Sequence, residues 1–245
     1  MTPDVPPVQP SPDQKVERVL VVSAHPDDVD FGAAGTVATW TDAEIIVTYC
    51  IITDGQAGGF ELSTPRDAMV DIRRTEQRAA ASVVGVDDVR FLGYVDGELV
   101  ATQTLVGQLT RAIREVRPQR MVVPSPERDY ARIYRSHPDH LAAGDAALRA
   151  IYPAARNPFA FPELLDEGLA PWTVDDTWLM AHPSSNHAVD ISAVIDRKIA
   201  AVMAHTSQHE YPEERSSDLR QAFAGDELGF GANSYAEGFF VVPTA

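Results

Sequence analysis

The sequence predicts an α/β fold, a Rossmann-like three-layer sandwich built as a single domain around a mostly parallel sheet. Three observations predict it. Short continuous apolar runs rich in β-branched residues recur along the chain, as strands buried on both faces require. Between them lie segments of helical character, and strands alternating with helices make βαβ units with right-handed crossovers. The 245 residues suffice for one large core, and no break in composition forces a second domain.

The elements follow in chain order. Residues 1–16 contain Pro3, Pro6, Pro7, Pro10 and Pro12 and almost no large apolar side chain. They cannot bury enough surface to fold, so a flexible arm is expected there, ahead of a folded domain at 17–245. Residues 18–23, Arg-Val-Leu-Val-Val-Ser, form the first buried strand, which ends at His25-Pro26. Further strands are expected at 44–53, 89–92 and 119–124, separated by helices at 31–40, 67–84 and 102–116. Beyond Pro124 a loop leads to a helix at 137–151, and a proline-rich stretch spans 153–171. A strand at 176–180 and a helix at 191–205 complete the pattern, and the charged residues of 210–226 read as solvated surface.

Composition excludes several function classes. Hydrophobic residues are 44% and charged residues 23% of the chain, the proportions of a globular protein. The net charge of −16 repels a phosphate backbone, and no Lys/Arg run offsets it, so no nucleic-acid partner is expected. No run approaches the roughly 18 apolar residues of a membrane span. The N-terminus lacks the basic start and apolar middle of a secretory signal, so a cytoplasmic location is expected. Cys50 is the only cysteine, which leaves His, Asp and Glu as the ligands for any metal.

The informative feature is His-Pro-Asp occurring twice, each time followed by a polar ligand type, in His25-Pro26-Asp27-Asp28 and His137-Pro138-Asp139-His140. Each can open a helix, because proline suits the first helical position and an early Asp suits the positive end of the helix dipole. The first and fourth residues of such a turn share a face, which pairs His25 with Asp28 and His137 with His140. The first bracket follows the first strand, at the carboxyl end where open α/β sheets place their ligands. Two histidines and a carboxylate, for example His25, Asp28 and His140, would hold zinc with a fourth position open. Either bracket alone reads more simply as a helix start; two of them, one ending a buried strand, favour the metal.

With Gly35-Thr36 after the first bracket, these motifs resemble the LmbE-like or PIG-L family of zinc deacetylases. Arg73-x-x-Glu76, Leu92-Gly93-Tyr94 with Asp96-Gly97, and Lys198 with His205-x-Ser207-Gln208 stand in the family's order, so the resemblance spans about 19–239. It implies that His25, Asp28 and His140 ligate zinc and that Asp27 is the general base. It further implies that His137 stabilises the oxyanion, with Asp139 orienting it, and that Arg73 and Asp96 contact sugar hydroxyls. Without the resemblance, Arg73 reads as a surface ion pair and Asp96-Gly97 as a turn. Arg135 stands where a mycothiol-pathway member has a tyrosine that polarises the substrate carbonyl; Tyr130 or Tyr134 is a substitute for that role.

The remaining histidines carry less. His182 and His187 flank a Ser-Ser loop and are expected to be exposed, His209 sits in a charged stretch, and His205 reads as a helix-end histidine interacting with the dipole. A nicotinamide cofactor is not expected, because the first strand runs into His-Pro-Asp-Asp rather than a glycine-rich turn. The expected activity is metal-dependent removal of an N-acyl group, acetyl above all, from an amino sugar, with His137 acting as a cation beside Asp27. Zinc is the expected metal, and Fe2+ or Co2+ would accept the same ligands. The rivals are an amidase acting on a larger thiol conjugate or secondary metabolite, and a non-catalytic metal-binding module. The expected partner is a small N-acylated amino sugar, and a homo-oligomer is compatible with the sequence.

Overall fold

The computed structural model describes residues 10–210 and 218–245. Its strands are β1 (Arg18–Ser23), β2 (Ile46–Thr53), β3 (Asp88–Tyr94), β4 (Arg120–Pro124), β5 (Asp176–Met180), β6 (His187–Asp190) and β7 (Ala236–Pro243). They form one seven-stranded sheet in the order β3-β2-β1-β4-β5-β7-β6. The first five are parallel, and β7 runs antiparallel to both β5 and β6. Strand order reverses at β1, which lies between β2 and β4. The crevice outside the carboxyl ends of β1 and β4 is therefore the ligand position that this topology offers.

Side-chain alternation on the strands divides the interior in two. Val19 and Val21 point to one face, where they join α1 (Asp28–Asp42), α2 (Arg66–Val83) and α6 (Ile195–Met203). Leu20 and Val22 point to the other, against α3 (Gln103–Val116) and α4 (Pro138–Arg149). The strands read as continuous apolar runs because both faces are covered, and each such Leu or Val contributes about 1.5 to 3 kcal/mol of burial. Helix α3 shows how the sequence sets an element. The Thr102 side chain accepts the Leu105 N–H at 3.2 Å, and Leu105, Leu109, Ala112 and Val116 supply its buried stripe.

The structure adds to the sequence reading in several places. The described part of the proline-rich start is docked rather than free: Arg120, fully buried in β4, pairs with Asp13 at 2.6 Å and Asp176 at 2.8 Å. A buried guanidinium needs those acceptors, and they hold residues 10–16 against the sheet. Two antiparallel strands, β6 and β7, were not anticipated. In the charged stretch, residues 211–217 lie outside the described residues, and Leu219 is buried in the core. The 137–151 helix ends at Arg149, where wider turns follow, and a short α5 spans Pro162–Asp166. No helix among the described residues is long and apolar enough to cross a membrane.

Candidate active site

Strands β1 and β4 deliver the two brackets to the switch-point crevice. After β1 the chain turns sharply, and Asp27 caps α1 with φ +90°. Positive φ in a non-glycine residue costs on the order of 1 to 3 kcal/mol, so the surroundings must enforce it. They do so by hydrogen bonds. The Asp27 N–H donates to Gln77 Oε1 at 2.8 Å, and the His25 N–H donates to Asp28 Oδ2 at 2.8 Å. The second bracket caps α4: His137 is the N-cap, its Nδ1 accepts the Asp139 N–H at 3.2 Å, and Pro138 opens the helix.

Three of the expected ligands converge. Asp28 lies 3.5 Å from His25 Nδ1 and 3.0 Å from His140 Nε2, and those two nitrogens are 3.3 Å apart. Bonds of about 2.0 to 2.1 Å to a tetrahedral zinc place neighbouring donors about 3.3 Å apart, so the donor set fits the ion. His137 joins His25 and His140 in one further group with donor atoms within 4.8 Å of one another, and a last group combines His25 with Asp96 and Asp139. It is the poorer metal site, because backbone N–H groups already take those carboxylates. Asp96 accepts from Ala57, and Asp139 accepts from Gly97 and Leu99. Cys50 lies buried in β2, where burial pushes its thiol up to about 12, and offers no thiolate.

Electrostatics agree with a cation at this point. Burial works against charge on His25, but Asp28 and Asp96 outweigh it and push its pKa up to about 11. His140 is likewise raised, burial being overcome by Asp28. Asp28 is held well below the usual range by His140 and His25 despite burial. A metal ion binding here displaces any proton these ring nitrogens carry. Burial pushes Asp27 up to about 6, with Arg73 opposing and Asp28 adding to the rise.

The structure gives four of the expected site residues other protein partners than the sequence suggested. Asp139 meets His137 through its backbone N–H, not its carboxylate, which lies 3.2 Å from His25 Nε2, the brace that a metal-ligating histidine needs. The geometry at His137 favours a neutral Nε2–H donor over the expected cation. Burial, then the charges of His25 and His140, lower its pKa, and the Asp139 N–H occupies Nδ1, which leaves the proton on Nε2. Arg73 is 3% exposed and its guanidinium is engaged by protein groups. Its guanidinium lies 3.1 Å from Asp27 Oδ2, donates to the Pro26 carbonyl, and reaches Gly55 O and Gln208 Oε1 at 3.1 Å each. Gly55 permits this approach, since a Cβ there would lie 2.9 Å from both Arg73 and Pro26. Asp96, 9% exposed, lies 3.1 Å from His25 Nε2 and so also braces the ligand.

Other residues fall outside expectation. Tyr130, Tyr134 and Arg135 are exposed, and the structure gives none of them a contact with the histidine cluster. The His182 side chain is 7% exposed and stacks on Phe240, and His187 packs on Trp178, so neither is a free loop residue. His209 bonds the Val202 carbonyl. His205 does not serve a helix dipole: it is fully buried and bonded to Asp30 at 2.8 Å. Asp30 and Gln77 were missed altogether, although Gln77 lies one helical turn after Arg73 on α2, a spacing that could have flagged it.

The family model described as PIG-L, GlcNAc-PI de-N-acetylase, matches residues 20–151. Diacetylchitobiose deacetylase of Thermococcus kodakarensis is 31% identical over 95% of this chain and 85% of its own length. The probable N-acetyl-alpha-D-glucosaminyl L-malate deacetylase 2 of Bacillus cereus is 32% identical over 79% of this chain and 84% of its own. The solved N,N'-diacetylchitobiose deacetylase from Pyrococcus horikoshii superposes with a TM-score of 0.86 at 30% identity, covering 95% of this chain and 86% of that one. The family match over both brackets, with relatives along nearly the whole chain, shows that this protein belongs to the PIG-L family of metal-dependent de-N-acetylases.

Proposed function

We propose that this protein hydrolyses the N-acetyl group of an amino sugar, with zinc as its resident metal and a small N-acetylglucosamine saccharide of the diacetylchitobiose type as substrate. The observation that carries the reading is the convergence of His25 Nδ1, His140 Nε2 and Asp28 within 3.0 to 3.5 Å, beside an Asp27 that is not needed as a ligand. A structural site would fill all four positions with protein, whereas three protein ligands with an open fourth suit catalysis. The substrate class rests on the relatives, which are named for N-acetylated amino sugars. Iron(II) and cobalt suit the same donors, and zinc is proposed because a four-coordinate site of two histidines and one carboxylate is its common catalytic arrangement.

When bound, the cation supplies the Lewis acidity that lowers the pKa of water and polarises the amide carbonyl. The side chains supply the proton transfers. Asp27, fixed by Arg73, takes a proton from the attacking water as the oxygen bonds to the acyl carbon. The His137 Nε2–H donates a hydrogen bond to the carbonyl oxygen as negative charge develops there. Asp27 then returns the proton to the amide nitrogen, the C–N bond breaks, and acetate and a free amine leave.

The test is incubation of the purified protein with diacetylchitobiose and other N-acetylated amino sugars. Acetate and primary amine should appear in equal amounts, disappear on chelation and return with zinc. A fully metal-loaded protein that releases acetate from none of them would reject the reading.

A further inference from the structure

Behind Asp27 lies a buried polar chain that the chemistry above does not use. Gln77, Asp30 and His205 are all fully buried. Asp30 Oδ2 accepts from Gln77 Nε2 at 2.8 Å and from His205 Nε2 at 2.8 Å, and Gln77 Oε1 accepts the Asp27 N–H at 2.8 Å. The Asp27 N–H can only donate, and Asp30 Oδ2 takes the Gln77 amide nitrogen, so the two partners together fix which way round the Gln77 amide stands. The amide nitrogen must face Asp30, which turns the oxygen toward Asp27. Gln77 lies four residues after Arg73, so one face of α2 grips this turn twice. Arg73 holds the Asp27 carboxylate and the Pro26 carbonyl, and Gln77 holds the Asp27 N–H.

We infer that Gln77, oriented by Asp30 and His205, is a positioning residue that holds Asp27 in its left-handed backbone and aims its carboxylate at the substrate water. This inference rests on Asp27 being the base. The physical reason is the torsion itself. A non-glycine residue at φ +90° relaxes to negative φ when nothing holds its amide, and relaxation would swing the side chain away from the metal position. Gln77 touches neither metal nor substrate, so its effect passes entirely through Asp27.

The experiment compares wild type, Asp27→Asn, Gln77→Leu, Gln77→Asn and Gln77→Glu, each loaded with zinc and corrected for bound metal and folded fraction. Leu removes the acceptor, and Asn withdraws it by about 1.5 Å, one C–C bond. Both should lower kcat about tenfold to a hundredfold with KM within about twofold, the loss expected from a misplaced catalytic group. Glu keeps an acceptor for the Asp27 N–H while placing a second carboxylate against Asp30. It should melt at the lowest temperature of the three Gln77 variants yet retain the highest kcat. A merely structural role predicts that kcat per folded, metal-loaded molecule matches wild type in all three. If Gln77→Leu does not fold, Gln77→Asn decides the same question. Wild-type kcat in both Leu and Asn variants, alongside an inactive Asp27→Asn, would overturn the inference and leave the base assignment standing; an active Asp27→Asn would overturn the base assignment itself.

Discussion

Asp27→Asn is expected to lower kcat by about two to four orders of magnitude, the usual worth of a general base, while metal content stays at the wild-type level. Asn has nearly the shape of Asp and can still accept from Arg73, but it cannot carry the proton between water and leaving nitrogen. The pH profile gives a second readout. Asp27 must be ionised to act, so kcat/KM falls as pH drops through its pKa. Burial pushes that pKa up to about 6 in the metal-free protein, and a neighbouring cation favours the carboxylate, so the acid limb should lie at about pH 6 or below. The residual rate of Asp27→Asn should lack that limb. Loss of metal from the variant would make Asp27 a ligand, and retained turnover would remove it from the mechanism.

The parts of this site that were legible in the sequence are those set by local chemistry. The apolar run at 18–23 ends where β1 ends, and the two His-Pro-Asp brackets carry their own helix starts, so His25, Asp28 and His140 could be named from spacing and family pattern. What was not legible depends on where distant loops come to rest. Asp139 braces His25 because the Gly97 and Leu99 amides, beyond β3, hold its carboxylate in place. No spacing within 137–140 reveals that. Arg73 and Asp96 stand near the site as expected, but burial directs them to protein partners. Strands β6 and β7 went unseen for a similar reason. β7 is an antiparallel strand placed between β5 and β6, and Gly238 and Pro243 interrupt its apolar pattern. The docking of residues 10–16 followed from the buried charge of Arg120 in another element.

His137→Ala should lower kcat about a hundredfold to a thousandfold with a smaller change in KM, because the hydrogen bond strengthens only as the carbonyl oxygen becomes negative. Metal content should be retained, since His25, Asp28 and His140 form the donor set without it. Loss of the N-cap adds about 1 kcal/mol of destabilisation, which a melting curve separates from the kinetic effect. With Nδ1 accepting the Asp139 N–H, His137 is set to act as a neutral donor rather than the cation expected from the sequence. A neutral Nε2–H is replaced in part by an amide, so His137→Gln should recover some of the lost rate, and the wild-type rate should hold as pH rises past the ordinary histidine pKa. A Gln variant as slow as Ala, with activity falling as a histidine deprotonates, would restore the imidazolium. A variant that lost its metal would make His137 a fourth ligand.

The central claim is that one metal, held by His25, Asp28 and His140, makes this chain an amidohydrolase of N-acetylated amino sugars. Titrating zinc into the metal-free protein, with bound metal and acetate release from diacetylchitobiose followed in the same samples, tests it most directly. Activity should rise in proportion to bound zinc and level off at about one ion per chain, and His140→Ala should lose tight binding and turnover together. Acetate release by the metal-free protein, or undiminished turnover in His140→Ala, would contradict the account.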